Sequence, residues 1–131
     1  MFKVLISDSM STVAQKIFEK YNIETEIKTG LSEEEIINII SAYEALIVRS
    51  ATKVTKNIIK AGKKLKVIGR AGAGVDNIDV VTAKEKNILV MNTPGGNTNA
   101  TAEHTLALIL SLLRKVPYSN DTTHKGKWEK K

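Results

Sequence analysis

Short apolar runs alternate with amphipathic stretches along this chain, and the alternation predicts a parallel α/β sheet. The apolar runs predict five strands, at residues 4–6, 24–28, 45–48, 65–69 and 88–91. The stretches between them carry apolar residues at helical spacing, which predicts four intervening helices. Parallel neighbours need crossover connections, so strands separated by helices indicate a doubly wound sheet.

Capping residues mark where the predicted helices begin. Ser32 and Glu35 have the spacing of a capping box ahead of an isoleucine-rich stretch. Thr55 and Asp79 can cap the next two helices, and Ser11 or Thr12 the first. These signals place each helix between two strands, as the doubly wound arrangement requires.

The last predicted helix differs from the others. It begins at Thr98, runs to about Lys115 and is stopped by Pro117. Its leucines and isoleucine cover nearly the whole circumference, and a helix that apolar is normally buried on several sides. We therefore expect more protein to follow this helix and cover it.

Polar residues gather where the strands end. In open parallel sheets, ligands bind beyond the carboxyl ends of the strands. The polar segments at these ends are Ser7-Asp8-Ser9, Arg49-Ser50, the run from Gly69 to Gly74, and Asn92 to Asn97. Arg49 and Arg70 on adjacent strands could form forked hydrogen bonds to a carboxylate or phosphate.

Composition narrows the classes of function. There are no cysteines, which excludes disulfides, thiolate metal sites and cysteine nucleophiles, and no pair of histidines at ligand spacing, so no metal site is expected. The net charge of +6 suits an anionic partner. The chain has no basic stripe interleaved with aromatic residues, so nucleic acid is not favoured as that partner. The basic tail from His124 is interpreted as a solvated chain end. With no signal segment and no apolar run long enough for a membrane, a cytoplasmic protein is expected.

The glycine run and the predicted sheet topology each have an alternative interpretation. The glycines at 69, 72 and 74 could let backbone amides approach an anion, or form a tight strand-to-helix turn; neither they nor any other segment has the Gly-x-Gly-x-x-Gly spacing of dinucleotide sites. A phospho-receiver domain shares the predicted topology, but Arg49 stands where a receiver needs its phosphorylated aspartate. We reject that alternative.

Three segments, in order, resemble D-3-phosphoglycerate dehydrogenases of the D-2-hydroxyacid dehydrogenase group. They are residues 46–55, with Val-Arg-Ser-Ala-Thr-Lys-Val-Thr; residues 67–79, with Gly-Arg-Ala-Gly-Ala-Gly-Val-Asp-Asn; and residues 90–97, with Asn-Thr-Pro-Gly-Gly-Asn. Gly126-Lys127-Trp128 also resembles the segment ahead of that family's dinucleotide fingerprint. The resemblance implies a flavodoxin-like substrate-binding domain followed by a Rossmann domain that binds NAD. It places the amino-terminal portion of the substrate domain at residues 1–96, and the hinge and first helix of a truncated nucleotide-binding domain at residues 97–131.

The resemblance also implies roles for individual residues. Substrate, a small anionic phosphorylated hydroxyacid, would contact Arg49, Ser50, Arg70, Ala71, Gly72, Ala73 and Gly74. Ala73, Asn97 and Thr98 would approach the cofactor, although Ala73 lacks the hydroxyl of the threonine found in relatives. The family's catalytic arginine, glutamate and histidine correspond to no residue here, so this chain is expected to be inactive alone. Because the apolar helix that begins at Thr98 lacks its covering partners, the chain is also expected to form a homodimer.

Three functions stay open at this point. The first is part of an enzyme that oxidises 3-phosphoglycerate to 3-phosphohydroxypyruvate in serine biosynthesis. The second is another dehydrogenase of the same group, of the glyoxylate or hydroxypyruvate reductase type. The third is a short binding or regulatory module that uses the site without chemistry. The segment at residues 46–55 favours the first.

Overall fold

A computed structural model describes residues 2–128 and divides the chain into two compact units, Met1–Gly96 and Asn97–Lys131. Part of the predicted basic tail, residues 129–131, lies outside the described residues. The assignment of the two units to a substrate domain and a nucleotide domain stays a prediction.

The first unit is built on a five-stranded sheet in which every neighbouring pair is parallel. The spatial order is 2-1-3-4-5, which is the flavodoxin-like order, so the predicted fold class is confirmed. The strands are β1 (Lys3–Ile6), β2 (Glu24–Ile27), β3 (Ala45–Val48), β4 (Val67–Arg70) and β5 (Leu89–Met91).

Helices cover the two faces of this sheet unequally. Side chains alternate along a strand, so Leu5 and Leu46 face one way and Val4 and Ala45 the other. The larger core, on the Leu5 side, receives residues from three helices, and the smaller receives Phe18 from one. The helices are α1 (Val13–Lys20), α2 (Glu33–Ile39), which a short 3-10 turn (Ile40–Ala42) extends, α3 (Lys56–Ala61) and α4 (Val80–Glu85).

Most of the predicted helix starts are confirmed by their hydrogen bonds. Ser32 and Glu35 form both halves of the capping box, and the side chains of Thr55 and Asp79 each accept from a backbone N–H in the first turn. α1 differs, because its capping residue, Thr12, makes no side-chain hydrogen bond. Ser11 instead accepts from the Val13 N–H at 3.3 Å.

The second unit contains two helices where the sequence predicted one. α5 (Thr98–Leu113) ends as predicted, but Pro117 does not stop the chain from being helical. Lys115 takes a left-handed conformation, φ 51°, and α6 (Val116–His124) begins directly after it. Proline suits the first turn of a helix because the N–H it lacks would have no partner there. Pro117 therefore helps to start α6, and the prediction that the region was a plain stop was wrong.

The capping box of α2 yields a stability prediction. Ser32→Ala removes the acceptor for the Glu35 N–H, so we expect the free energy of unfolding to fall by about 1 kcal/mol in urea denaturation. Ser41→Ala, the same change on an exposed residue of the 3-10 turn, should change it by less than about 0.5 kcal/mol. Equal effects of the two substitutions would show that the box contributes nothing specific.

Candidate functional site

The strand register brings four loops to one edge of the sheet. Ile6 pairs with Ile47 and Val48 with Arg70, so β1, β3 and β4 end side by side. β1 lies between β2 and β3. The chain passes from β1 to β2 on one side of β1, and then crosses to β3 on the other side. Such a point, where the strand order reverses, is where ligands bind in open α/β sheets.

A buried carboxylate holds the loop that follows β3. Asp8, which is 5% exposed, accepts hydrogen bonds from the N–H of Arg49 at 2.6 Å and of Thr52 at 3.1 Å. Its other oxygen accepts from the Thr52 hydroxyl at 2.5 Å, and the hydroxyls of Thr52 and Ser7 lie 3.1 Å apart. The first and last residues of the segment 49–52, called here the Arg49 loop, are thus fixed to the end of β1.

These hydrogen bonds also settle the charge of Asp8. Burial alone would raise the pKa of the Asp8 carboxyl. The hydrogen bonds donated by the Thr52 hydroxyl and by backbone N–H groups outweigh burial and hold that pKa below its ordinary value. Asp8 is therefore a carboxylate at neutral pH, with its charge directed at the loop backbone.

The opposite side of the Arg49 loop is held by Asn77. Its amide nitrogen donates to the backbone carbonyl oxygens of Arg49, at 2.7 Å, and of Thr52, at 2.6 Å. A parallel bridge between Val54 and Ile78 continues the contact between the two segments. The Arg49 loop therefore makes hydrogen bonds to neighbouring segments on both sides.

The side chain of Arg49 lies at the exposed rim of this edge. Its guanidinium donates to the backbone carbonyl of Ser9 at 3.0 Å, and both Arg49 and Ser50 are exposed. The carbonyl is neutral, and no carboxylate among residues 2–128 forms an ion pair with this guanidinium. Arg49 is therefore available to an anionic ligand.

Arg70 is placed differently from Arg49. Its side chain is only 12% exposed, and its guanidinium is paired with Asp76, whose side chain is 81% exposed. The hydrogen bond from Arg70 holds the pKa of the Asp76 carboxyl below its ordinary value. Arg70 Nε is shielded from solvent and has no hydrogen-bond partner among the described residues. The guanidinium thus keeps one unused donor beside an ion pair that an anion could exchange.

The glycines of the β4–α4 loop make room for this guanidinium. A Cβ on Gly72 would lie 3.3 Å from Arg70 Nε, and one on Gly74 would lie 3.2 Å from Arg70 Nη1 and 2.9 Å from Asp76 Oδ1. The sequence predicted only that these glycines open the backbone or form a tight turn. The close approach of a side chain from the same loop is a separate reason for them.

Part of the backbone in this loop is already engaged. The N–H of Ala71 donates to Val48 O and that of Gly72 to Arg70 O, both at 2.9 Å. The loop is also held from β5, since Asn92 donates its side-chain amide to Ala73 O at 2.7 Å. Two of the four predicted anion-binding amides, those of Ala71 and Gly72, therefore have partners within the protein.

Two of the predicted cofactor residues, Asn97 and Thr98, are the first residues of the second unit. Asn97 precedes α5 without a side-chain capping hydrogen bond, and Thr98 is the first residue of that helix. Both are exposed. Their role near a nicotinamide stays a prediction.

Several residues of this edge were missed or undervalued at the sequence level. Asp8 was predicted only as one of the polar residues at the end of a strand, and Thr52, Asp76 and Asn77 were given no role. The usable signal was position: a carboxylate directly after a buried strand either binds a ligand or holds a neighbouring loop. The sequence could not decide between these, because the partners of Asp8 are about forty residues away.

Two absences hold within residues 2–128. The histidine, aspartate and glutamate side chains there form no group of three or more that could hold a metal ion. No helix in that part of the chain is long and apolar enough to span a membrane.

The comparison with known proteins agrees with this fold. Residues 4–126 match the D-isomer specific 2-hydroxyacid dehydrogenase family, catalytic domain. The chain therefore belongs to the D-isomer-specific 2-hydroxyacid dehydrogenase family.

The similar proteins include several named D-3-phosphoglycerate dehydrogenase. A D-3-phosphoglycerate dehydrogenase of Synechocystis is 52% identical over 100% of this chain, and one of Archaeoglobus fulgidus is 50% identical over 98%. Among solved structures, the NAD+-bound 3-phosphoglycerate dehydrogenase of Entamoeba histolytica is 35% identical, with a TM-score of 0.75 over 84% of this chain and 38% of its own. The chain spans 24% of the length of the two sequence relatives.

The contact between Gly74 and the Arg70–Asp76 pair can be tested. Gly74→Ala places a methyl group against both charged groups, so we expect the pair to separate and the pKa of Asp76 to rise toward its ordinary value. Carbon-detected NMR of the Asp76 carboxyl during a pH titration measures this. Ala73→Ser, which adds one atom to an exposed residue of the same loop, should leave that pKa unchanged. An unaltered Asp76 pKa in a folded Gly74→Ala protein would contradict the described geometry.

Proposed function

We propose that this chain is the substrate-recognition part of an NAD-dependent D-3-phosphoglycerate dehydrogenase, which oxidises 3-phosphoglycerate to 3-phosphohydroxypyruvate. The observation that carries the proposal is an exposed, uncompensated Arg49 guanidinium, held at the topological switch point beside Arg70. The identity of about 50% to proteins named D-3-phosphoglycerate dehydrogenase supports the choice of substrate.

The chemistry of the substrate suits this edge. 3-Phosphoglycerate carries a carboxylate and a phosphate, and guanidinium groups bind both with forked hydrogen bonds. Arg49 offers its exposed charge with Ser50 beside it, while Arg70 offers a charge that it shares with Asp76. The N–H groups of Ala73 and Gly74 complete the proposed contacts.

The cofactor belongs to the proposed whole enzyme. NAD would accept the hydride, and the residues of this chain proposed to approach it are Ala73, Asn97 and Thr98. Hydride transfer also needs a group that takes the hydroxyl proton of the substrate. We propose that this group and the dinucleotide fingerprint belong to a longer protein, so the present chain alone binds substrate without oxidising it. No Gly-x-Gly-x-x-Gly spacing occurs in the 131 residues.

A cytoplasmic homodimer completes the proposal. The apolar side chains of α5 are exposed, including Leu108 at 58% and Leu112 at 80%. Contiguous exposed apolar surface normally marks an interaction site, and two-fold contacts are the commonest in homo-oligomers. We take a second copy of the chain as the partner of α5.

The anion-binding proposal predicts weak but specific binding. Amide shifts in an NMR titration with 3-phosphoglycerate should cluster at residues 49–50 and 70–74, with a dissociation constant of about 1 mM or weaker because few contacts are made. Arg49→Ala should weaken binding at least about tenfold, since it removes a charge-assisted hydrogen bond. Binding should also weaken with salt.

Matched controls make this test decisive. Arg114→Ala removes the same charge from an exposed position at the end of α5 and should leave the dissociation constant unchanged. Glyoxylate, which lacks a phosphate, should bind more weakly than 3-phosphoglycerate, and no sample should reduce NAD. Equal weakening by both arginine substitutions, or shifts confined to residues after His124, would mean non-specific attraction to a basic protein.

Self-association should depend on the apolar surface of α5. Each large apolar side chain left in water forgoes roughly 1.5–3 kcal/mol of burial, so covering three or four of them rivals the stability of a small domain. We expect the chain to sediment as a dimer at tens of micromolar and Leu108→Glu/Leu112→Glu as a monomer. The exposed pair Lys16→Glu/Lys20→Glu on α1, which also introduces two glutamates, should stay dimeric. A wild-type monomer would contradict the proposal.

A further inference from the structure

The Arg49 loop is fixed more completely than a surface turn requires. Its first and last residues use both their N–H and C=O groups: Asp8 accepts from the two N–H groups, and Asn77 donates to the two carbonyl oxygens. The two anchoring residues come from different segments, after β1 and after β4. Neither anchor is a neighbour of the loop in sequence.

The same anchors control the side chain of Arg49. Its guanidinium donates to Ser9 O, and Ser9 follows Asp8 directly, so the carboxylate and the carbonyl belong to one short segment. The segment that holds the loop backbone thereby also sets the direction of the guanidinium. A shift of Asp8 would move both contacts of Arg49 together.

From this geometry we infer that Asp8 and Asn77 are positioning residues for Arg49, which hold the Arg49 loop from opposite sides so that its guanidinium meets an anionic ligand already in place. The inference rests on the proposed function, in which Arg49 binds the phosphohydroxyacid. Ordering a loop and a long side chain at the moment of binding subtracts from affinity, and a loop ordered beforehand avoids that loss.

Positioning Arg49 explains why the buried carboxylate of Asp8 lies next to a proposed anion-binding site. A negative charge near an anionic ligand opposes binding unless it is compensated locally. Both oxygens of Asp8 accept hydrogen bonds from donors of the Arg49 loop, so the negative charge of Asp8 is compensated by that loop. The guanidinium of Arg49 bonds instead to the carbonyl of Ser9 at the rim. A carboxylate accepts these hydrogen bonds as charge-assisted ones, which are shorter and stronger than hydrogen bonds to a neutral acceptor.

The test is a double-mutant cycle on 3-phosphoglycerate binding, measured by NMR titration of the 131-residue chain. Asp8→Asn and Asn77→Ala should each weaken binding about threefold to tenfold, because the first replaces charge-assisted hydrogen bonds with weaker neutral ones and the second removes two hydrogen bonds that order the loop. If they act through Arg49, neither should weaken binding further once Arg49→Ala is present. Asp121→Asn, which removes an exposed carboxylate on α6, should not change binding in either background.

A second readout does not depend on the ligand. Amide hydrogen exchange at Arg49 and Thr52 should accelerate in Asp8→Asn and Asn77→Ala, while exchange at the buried strand residue Leu46 stays slow. A residue needed only for overall stability would accelerate all three sites together. If Asp8→Asn does not fold, Thr52→Val, which loses the hydroxyl bonds to Asp8 and Ser7, replaces it, with Thr52→Ser as the variant that restores binding.

Each outcome separates the inference from the proposed function. If Arg49→Ala leaves 3-phosphoglycerate binding unchanged, the proposed role of Arg49 is wrong, and hydrogen exchange alone decides whether Asp8 and Asn77 order the loop. If Arg49→Ala weakens binding but the anchoring variants leave it unchanged, or weaken it equally in the Arg49→Ala background, the inference is overturned and the proposed function stands.

Discussion

Parallel pairing of all five strands is the constraint from which the rest of this structure follows. It puts every carboxyl end at one edge, so the loops after β1, β3, β4 and β5 must share that edge. The backbone groups of such loops have no strand partners and need others. Here the loops supply them to one another, through Asp8, Asn77 and Asn92. The residues that satisfy these backbone groups thereby also hold the loops of the candidate site in place.

The regular elements could be predicted from the sequence because their causes are local. The capping box of Ser32 and Glu35 involves residues three apart, and the strands show as short β-branched runs. α6 was not predicted, because a proline such as Pro117 is compatible both with the end of one helix and with the start of another. The local pattern favoured the end of a helix. The left-handed turn at Lys115, which separates the two helices, has no glycine or asparagine to announce it.

The candidate site was predictable in place but not in contacts. Strand ends located Arg49 and Arg70 at one edge, because that conclusion needs only strand order. The partners of each arginine depend on side-chain directions within loops, which no periodicity records. The pairing of Arg70 with Asp76 and the fit of its guanidinium against Gly72 and Gly74 are visible only in three dimensions.

These contacts give the two arginines different electrostatic roles. Asp76 already neutralises much of the charge of Arg70, so an anion that binds there must displace or share an exposed carboxylate. Arg49 rests on the neutral carbonyl of Ser9, so its attraction for an anion is opposed only by desolvation. The first attraction of the site for an anion should therefore come from Arg49. Arg70, mostly buried and keeping an unused Nε donor, is better suited to recognise the shape of an anion that has already arrived.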